Sequence, residues 1–324
     1  MKLITKPFFA RLAICLFAGL ISFPPFAQNI DSIPPKLGLL DNAARPNKTR
    51  MAVLGTTLGV SYVGSMAGLY YLWYAGYPQS RFHLFNDNKE WFQMDKGGHL
   101  VNSYIIGKFG MDIMRYAGID RKKSIWIGGS FGLIFLTTIE VFDGLSAEWG
   151  FSWGDMIANT LGTSSVIAQE LLWNEQRFTW KLFYHNSNTA QFRPDLLGSN
   201  FSERLVKDYN GHSYWLSANV YSFLPKESKF PKWISVAGGI GASGMLGAFR
   251  NSGMDGAGNP LPQMDRFRQY YFSIDIDLTR IKTRSKLLKA MFSAVRLIKI
   301  PSPTLEINST ARGKMRVYAF YPFF

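Results

Sequence analysis

Cysteine is almost absent: Cys15 is the only one in 324 residues. It sits in the apolar stretch 12–21 of what reads as an export signal, behind a basic n-region of Lys2, Lys6 and Arg11. Residues 22–27 break the helix and end on a small residue, so cleavage is expected after Ala27. An uncleaved membrane anchor is the alternative. Ile14, not a small residue, precedes Cys15, which argues against a lipid-attachment cysteine. Once the signal is removed the chain has no thiol, and this excludes disulfides, thiolate nucleophiles and cysteine-ligated metals.

Acids are scarce as well, 22 against 36 Lys+Arg, for a net charge of +14. The deficit is local. Residues 1–176 hold 13 acids and 15 bases, whereas residues 177–324 hold 9 and 21. No acid interrupts the basic series from Arg280 to Lys299. For an exported chain the expected acidic partner is a phospholipid or lipopolysaccharide surface. Nucleic acid is not expected, because no recognition motif accompanies the charge. A hydrophobic content of 47% with 15% aromatics rules out general disorder.

Residues 28–50 are polar, contain Pro34, Pro35 and Pro46, and read as a linker. Residues 51–74 form an uncharged apolar run, long enough to cross a bilayer at about 20 residues per span. A buried helix of a soluble domain is the alternative. Residues 80–94 mix aromatics with charges in the manner of an interfacial segment. Three further helices are expected, over about 95–116, 124–142 and 152–173, with Ser152 capping the last. Beyond residue 174 the pattern alternates by twos, as around 214–221 and 271–278, which is strand-like. Residues 233–249 are Gly-rich and fit strand or helix, and 251–265 reads as a loop. In 284–300, Leu288, Met291, Phe292, Val295 and Ile298 share a helical stripe flanked by Lys286, Lys289, Arg296 and Lys299. The chain ends on alternating aromatics, which leaves an outer-membrane barrel component as one reading of this region.

The fold expectation is therefore α+β. A membrane-associated four-helix bundle with a polar core (51–176) follows the signal (1–27) and linker (28–50). A basic, aromatic, strand-rich region (177–324) with one amphipathic helix completes the chain.

Polar residues interrupt the apolar helices at three places: Asp95, Lys96 and His99; Glu140 and Asp143; Ser152, Asp155 and Asn159. Spacings of three or four residues put each set on one helix face. Ionisable groups on apolar helices are costly unless they face each other or water, so the three sets are expected to share one site. In a catalytic reading His99 is the general acid/base, Asp95 or Asp155 orients it, and Glu140 is a second acid or base. In a metal reading His99 joins two or three of Asp95, Glu140, Asp143 and Asp155 around a hard or borderline divalent ion. In a third reading the groups, with Lys96, Ser152 and Asn159, bind ligand or satisfy each other and fix helix register. No cofactor is named by the sequence. His83, His185 and His212 lack such surroundings and read as surface residues.

The order D-K-x-x-H, an acidic helix end, then S-x-x-D-x-x-A-N-x-x-G resembles the VanZ-like membrane proteins. The exported context, residues 91–99 and the loop 150–155 are more similar to the YfiM-like family, envelope proteins with a domain of unknown function. That likeness spans roughly residues 50–200, with its clusters at Asp95, Lys96, His99, Glu140, Ser152, Asp155, Asn159 and Gly162. VanZ-like proteins commonly show Glu-x-x-Gln and a following Arg, where this chain has Glu140-x-x-Asp143 and no such Arg. The resemblance implies a helical domain in the cell envelope, inner or outer membrane, and implies no reaction. The function expected is that of an exported, membrane-associated protein binding lipid or lipid-linked cell-wall material; a hydrolase or transferase using His99, Asp95, Glu140 and Asp155 is the alternative.

Overall fold

The computed structural model describes residues 40–310 and 315–321. The signal, Cys15, most of the linker and the last three residues lie outside them. The chain is mixed helix and antiparallel sheet, as the α+β expectation held. It divides into two compact units: one holds the described residues up to Asn86 with Ile106–Ile167, the other Asp87–Ile105 with the residues from Ala168 onward.

The first unit is helical. Helix α1 (Lys48–Leu69) starts at Asn47, whose side chain accepts from the Arg50 N–H at 2.9 Å, and continues as a wider turn through Tyr74. Helix α2 (Met94–Tyr116) begins in the other unit and contributes its second half here. Asp120 caps a helical lead, Arg121–Gly128, which precedes α3 (Phe131–Gly144). Helix α4 (Trp153–Leu172) runs through residue 167 in this unit. Tyr62, Met66, Tyr74 and Phe142 form a core, with the Tyr62 hydroxyl 2.7 Å from that of Thr138. Glycine is required where α2 meets the lead to α3: a Cβ on Gly128 would lie 2.6 Å from the Gly110 carbonyl carbon. The missing side chains let the two helical segments approach backbone to backbone. Lys48–Tyr74 and Arg121–Gly144 are long and apolar enough to cross a membrane, and only 11% of the first window is buried. Val53, Val60 and Tyr71 on the first, and Trp126 on the second, stand exposed.

The second unit is built on a six-stranded antiparallel sheet in sequence order: β1 (Phe178–Tyr184), β2 (His212–Asn219), β3 (Ile234–Ser243), β4 (Phe267–Ile276), β5 (Thr304–Asn308) and β6 (Met315–Tyr318). The Gly-rich stretch thus resolves as strand, and β1 and β5 are additions that periodicity did not announce. Helix α5 (Phe201–Lys207) lies between β1 and β2, and α6 (Lys286–Val295) follows β4. A flat sheet would hold β1 and β4 about 14 Å apart. Here the Lys181 ammonium of β1 reaches the Ile276 carbonyl of β4 at 3.0 Å, so the sheet is strongly curled. The other edge of β1 takes up the segment after α6: Leu182 N–H donates to Leu297 O (3.1 Å) and Lys299 N–H to Leu182 O (2.9 Å).

The two faces of this sheet have the polarity opposite to that of a soluble one, where apolar side chains point in. The concave face buries Lys181, Ser213, Ser217, Asn219, Ser273, Asp275, Glu306 and Asn308 around Trp215 and Tyr271. Asp275 pairs with Lys181 at 2.7 Å and lies 3.7 Å from Lys299, whose ammonium sits 5.0 Å above the Trp215 ring. The convex face carries Val236, Ile240, Tyr270, Phe272, Ile274, Ile307, Met315 and Val317, all exposed; Phe272 is 60% and Val317 79% accessible. Among the described residues the convex face is covered toward β1 and β2, where Met94 and Val101 of α2 pack with Tyr214, Ala242, Trp180 and Leu182.

Candidate functional site

Residues 91–93 enter α2 with left-handed backbone: Trp91, Phe92 and Gln93 have φ of 46°, 51° and 58°. Each such residue costs roughly 1–2 kcal/mol. Specific contacts offset the cost. The Trp91 N–H donates to Ala248 O at 2.8 Å, and Arg268 donates to Phe92 O at 2.7 Å and to the Gln93 side chain. The Phe92 ring lies under the guanidinium groups of Arg266 and Arg268, at 4.8 and 4.9 Å. This turn aims the first residues of α2.

Asp95, Lys96 and His99 follow at once, and the structure gathers them. Lys96 bridges two carboxylates, Asp87 at 2.6 Å and Asp95 at 3.0 Å. The Tyr209 hydroxyl donates to Asp95 Oδ1 at 2.8 Å, and His99 Nε2 lies 3.8 Å from the same oxygen. Burial works against ionising Asp95. The charges of His99 and Lys96 and the hydrogen bonds from Lys96 and Tyr209 outweigh it and hold the carboxyl below the usual range. Tyr214 packs flat on the start of the helix, where a Cβ at Gly97 would meet its ring at 2.6 Å. The spacing of Asp95 and His99 announced this set. Asp87, Tyr209 and Tyr214 carried no signal, since the two tyrosines lie more than a hundred residues downstream.

Glu140, Asp143, Ser152, Asp155 and Asn159 belong to the helical unit. Glu140 is buried, and its Oε2 accepts from the Ser152 N–H at 2.9 Å. Ser152 caps α4 as expected, accepting from the Asp155 N–H at 3.1 Å. The Glu140 carboxylate and Asp155 both sit at the positive end of α4, where the free N–H groups and the macrodipole favour negative charge. Asn159 is fully buried one turn further along. Asp143 accepts from the Tyr74 hydroxyl at 2.8 Å.

The three histidines expected at the surface, His83, His185 and His212, are all half-buried. His212 packs among Tyr184, Tyr209 and Tyr214, and its Nε2 bonds the Leu205 carbonyl at 2.9 Å. Desolvation pushes the His185 and His212 imidazoles below their ordinary pKa, against the nearby Asp208. The rings around His212 come from the end of β1, the turn before β2 and β2 itself, which the polar look of its loop did not announce. His83 Nδ1 lies 3.2 Å from the Ser80 hydroxyl.

Chemically, the Asp95–His99 pair offers an ionised carboxylate beside an imidazole, the orienting partner that a general base needs. As ligands, the two would supply only part of the shell of a hard divalent ion. Residues 84–170 match the model of a family described as "Predicted periplasmic lipoprotein (DUF2279)". That span contains Asp87, Asp95–His99, Glu140, Asp143, Ser152, Asp155 and Asn159, and omits Tyr209, Tyr214 and the sheet. No curated protein and no solved structure matches the chain. The family match supports a bacterial cell-envelope domain of uncharacterised function; the YfiM-like and VanZ-like likenesses rest on the motifs alone.

Proposed function

We propose that the protein is a membrane-associated envelope protein that binds lipid or lipid-linked cell-wall material, with the polar clusters of its helices serving structure or ligand binding. The reading is carried by the reversed polarity of the sheet, with Lys, Asp, Glu, Asn and Ser inside and Val, Ile, Phe and Tyr outside. Water is a poor solvent for that convex face and hydrocarbon a good one. Covering the exposed part of each large apolar side chain is worth roughly 1 kcal/mol. The exposed apolar length of α1 and the export signal agree with it, as does the YfiM-like resemblance.

The test is flotation of the purified full chain after dilution from detergent into phosphatidylcholine vesicles. The wild type is expected in the vesicle fraction, and Phe272→Glu with Ile274→Glu, both at exposed positions, is expected to be depleted from it with an unchanged circular dichroism spectrum. Wild-type protein that stays below the vesicles would remove the lipid-binding reading.

A further inference from the structure

Helix α4 carries polar and apolar residues on opposite sides, and the fold buries the polar side. At about 100° per residue, Asp155, Asn159 and Thr163 share an arc of about 80°, while Trp153, Ile157 and Leu161 share another centred about 160° away. Asp155 is 3%, Asn159 0% and Thr163 5% accessible. Trp153 is 63%, Ile157 60% and Leu161 55% accessible. The apolar arc continues through the last turns as Ala168, Leu171 and Leu172, all exposed. Glu170, the other charged residue of the helix, is buried with the polar set.

No exposed position of α4 therefore carries a charge. Its outward hydroxyls are those of Thr160 and Ser164, and Thr160 donates back to the Met156 carbonyl at 2.8 Å. Such a bond within the helix satisfies the donor without water. Mean hydropathy marks Lys48–Tyr74 and Arg121–Gly144 but passes over α4, because the buried polar set lowers its average. Its 20 residues at about 1.5 Å each nevertheless extend about 30 Å, the thickness of a bilayer's hydrocarbon core. Trp153 stands exposed at one end and Trp173 just past the other, where interfacial aromatic belts fall.

We propose that α4 crosses the hydrocarbon of a lipid bilayer, with its apolar arc against the acyl chains and its polar arc turned into the protein. This rests on the lipid-binding reading above and extends it from lipid association to insertion. Length, charge and extent decide the occupant. Water would face the apolar arc while the carboxylates are buried, which is unfavourable on both counts. A stable protein partner engages about 20–30 residues on each side within a polar rim, more than one uncharged stripe offers. Hydrocarbon meets the stripe over its whole length, and it equally suits the bare Val53, Val60 and Val63 of α1.

The test places single cysteines at exposed positions of α4, as Ile157→Cys, Leu161→Cys, Ala168→Cys and Leu172→Cys, in the full chain carrying Cys15→Ser. Each variant is labelled with a nitroxide, diluted from detergent into phosphatidylcholine vesicles and recovered by flotation. Electron paramagnetic resonance then compares collisions with oxygen, which concentrates in hydrocarbon, and with a water-soluble nickel chelate. The oxygen-to-nickel ratio is expected to be highest at Leu161, lower at Ile157 and Ala168, and lowest at Leu172 near the interface. Nickel collisions exceeding those of oxygen at Leu161 in floated protein would overturn the proposal while the lipid-binding reading stands. A shallow, uniform ratio along the helix would overturn it equally, because α4 would then lie along the surface. Protein absent from the vesicles would remove both readings.

Discussion

Replacing Asp275 with Asn is the sharpest perturbation of the sheet unit. The Asp275 carboxylate has no solvent exposure and lies between two buried ammoniums, 2.7 Å from Lys181 and 3.7 Å from Lys299. Asparagine keeps the shape and removes the charge, leaving both lysines in the concave core without an anion. Breaking a buried ion pair from one side costs about 3–5 kcal/mol, and serving two cations places this site toward the upper end. Burial already pushes Lys299 down to about 8, against the attraction of Asp275. The folded pKa lies below the unfolded value of about 10.5, so the folded state binds fewer protons. The penalty for charged Lys299 is therefore full below about pH 8 and is relieved as pH rises from there toward 10.5. Guanidinium unfolding of wild type and Asp275→Asn, followed by tryptophan fluorescence, should show a large deficit at pH 7 that narrows at pH 10. A variant within about 0.5 kcal/mol of wild type at both pH values, the scatter of an ordinary surface substitution, would refute the buried charge cluster.

Two further outcomes follow from the same unit. Gly97→Ala should destabilise by about 1–3 kcal/mol, because its Cβ would meet the Tyr214 ring at 2.6 Å. Thermal melts in a Tyr214→Leu background should abolish that cost, and an equal cost in both backgrounds would assign it elsewhere. The depressed imidazoles of His185 and His212 set the acid limb: stability is full above the unfolded pKa of about 6.5 and is lost as pH falls from there through the lower folded values. His212→Phe should flatten the slope of melting temperature between pH 7.5 and 5, and a slope parallel to wild type would contradict the burial of that ring.

Much of the helical part was legible from local rules. Apolar length marked 51–74, i,i+4 spacing put Asp95 and His99 on one face, and Ser152 stood three residues before the N–H it caps. Those features depend on neighbours within one turn, so sequence order alone carries them. The amphipathic stripe of 284–300 is local in the same sense, although its last residues leave the helix to pair with β1.

Strand alternation, by contrast, names two faces without saying which is inside. Tyr271, Ser273 and Asp275 alternate with Phe272 and Ile274, and the ordinary rule would bury the second set. The curl of the sheet reversed that choice, because it brings Lys181 of β1 and Lys299 beside Asp275 of β4 and satisfies charges that no pair of adjacent strands could match. The partners of Asp95 were hidden for the same reason. Tyr209 reaches it from 114 residues away, and the left-handed turn at Trp91–Gln93 is held by Arg266, Arg268 and Ala248 of a distant strand and its approach. The sequence by itself determined which residues are helical, which alternate and where the cations lie. Only the tertiary structure decided which faces are buried and which charges meet, since those depend on contacts that chain order does not encode.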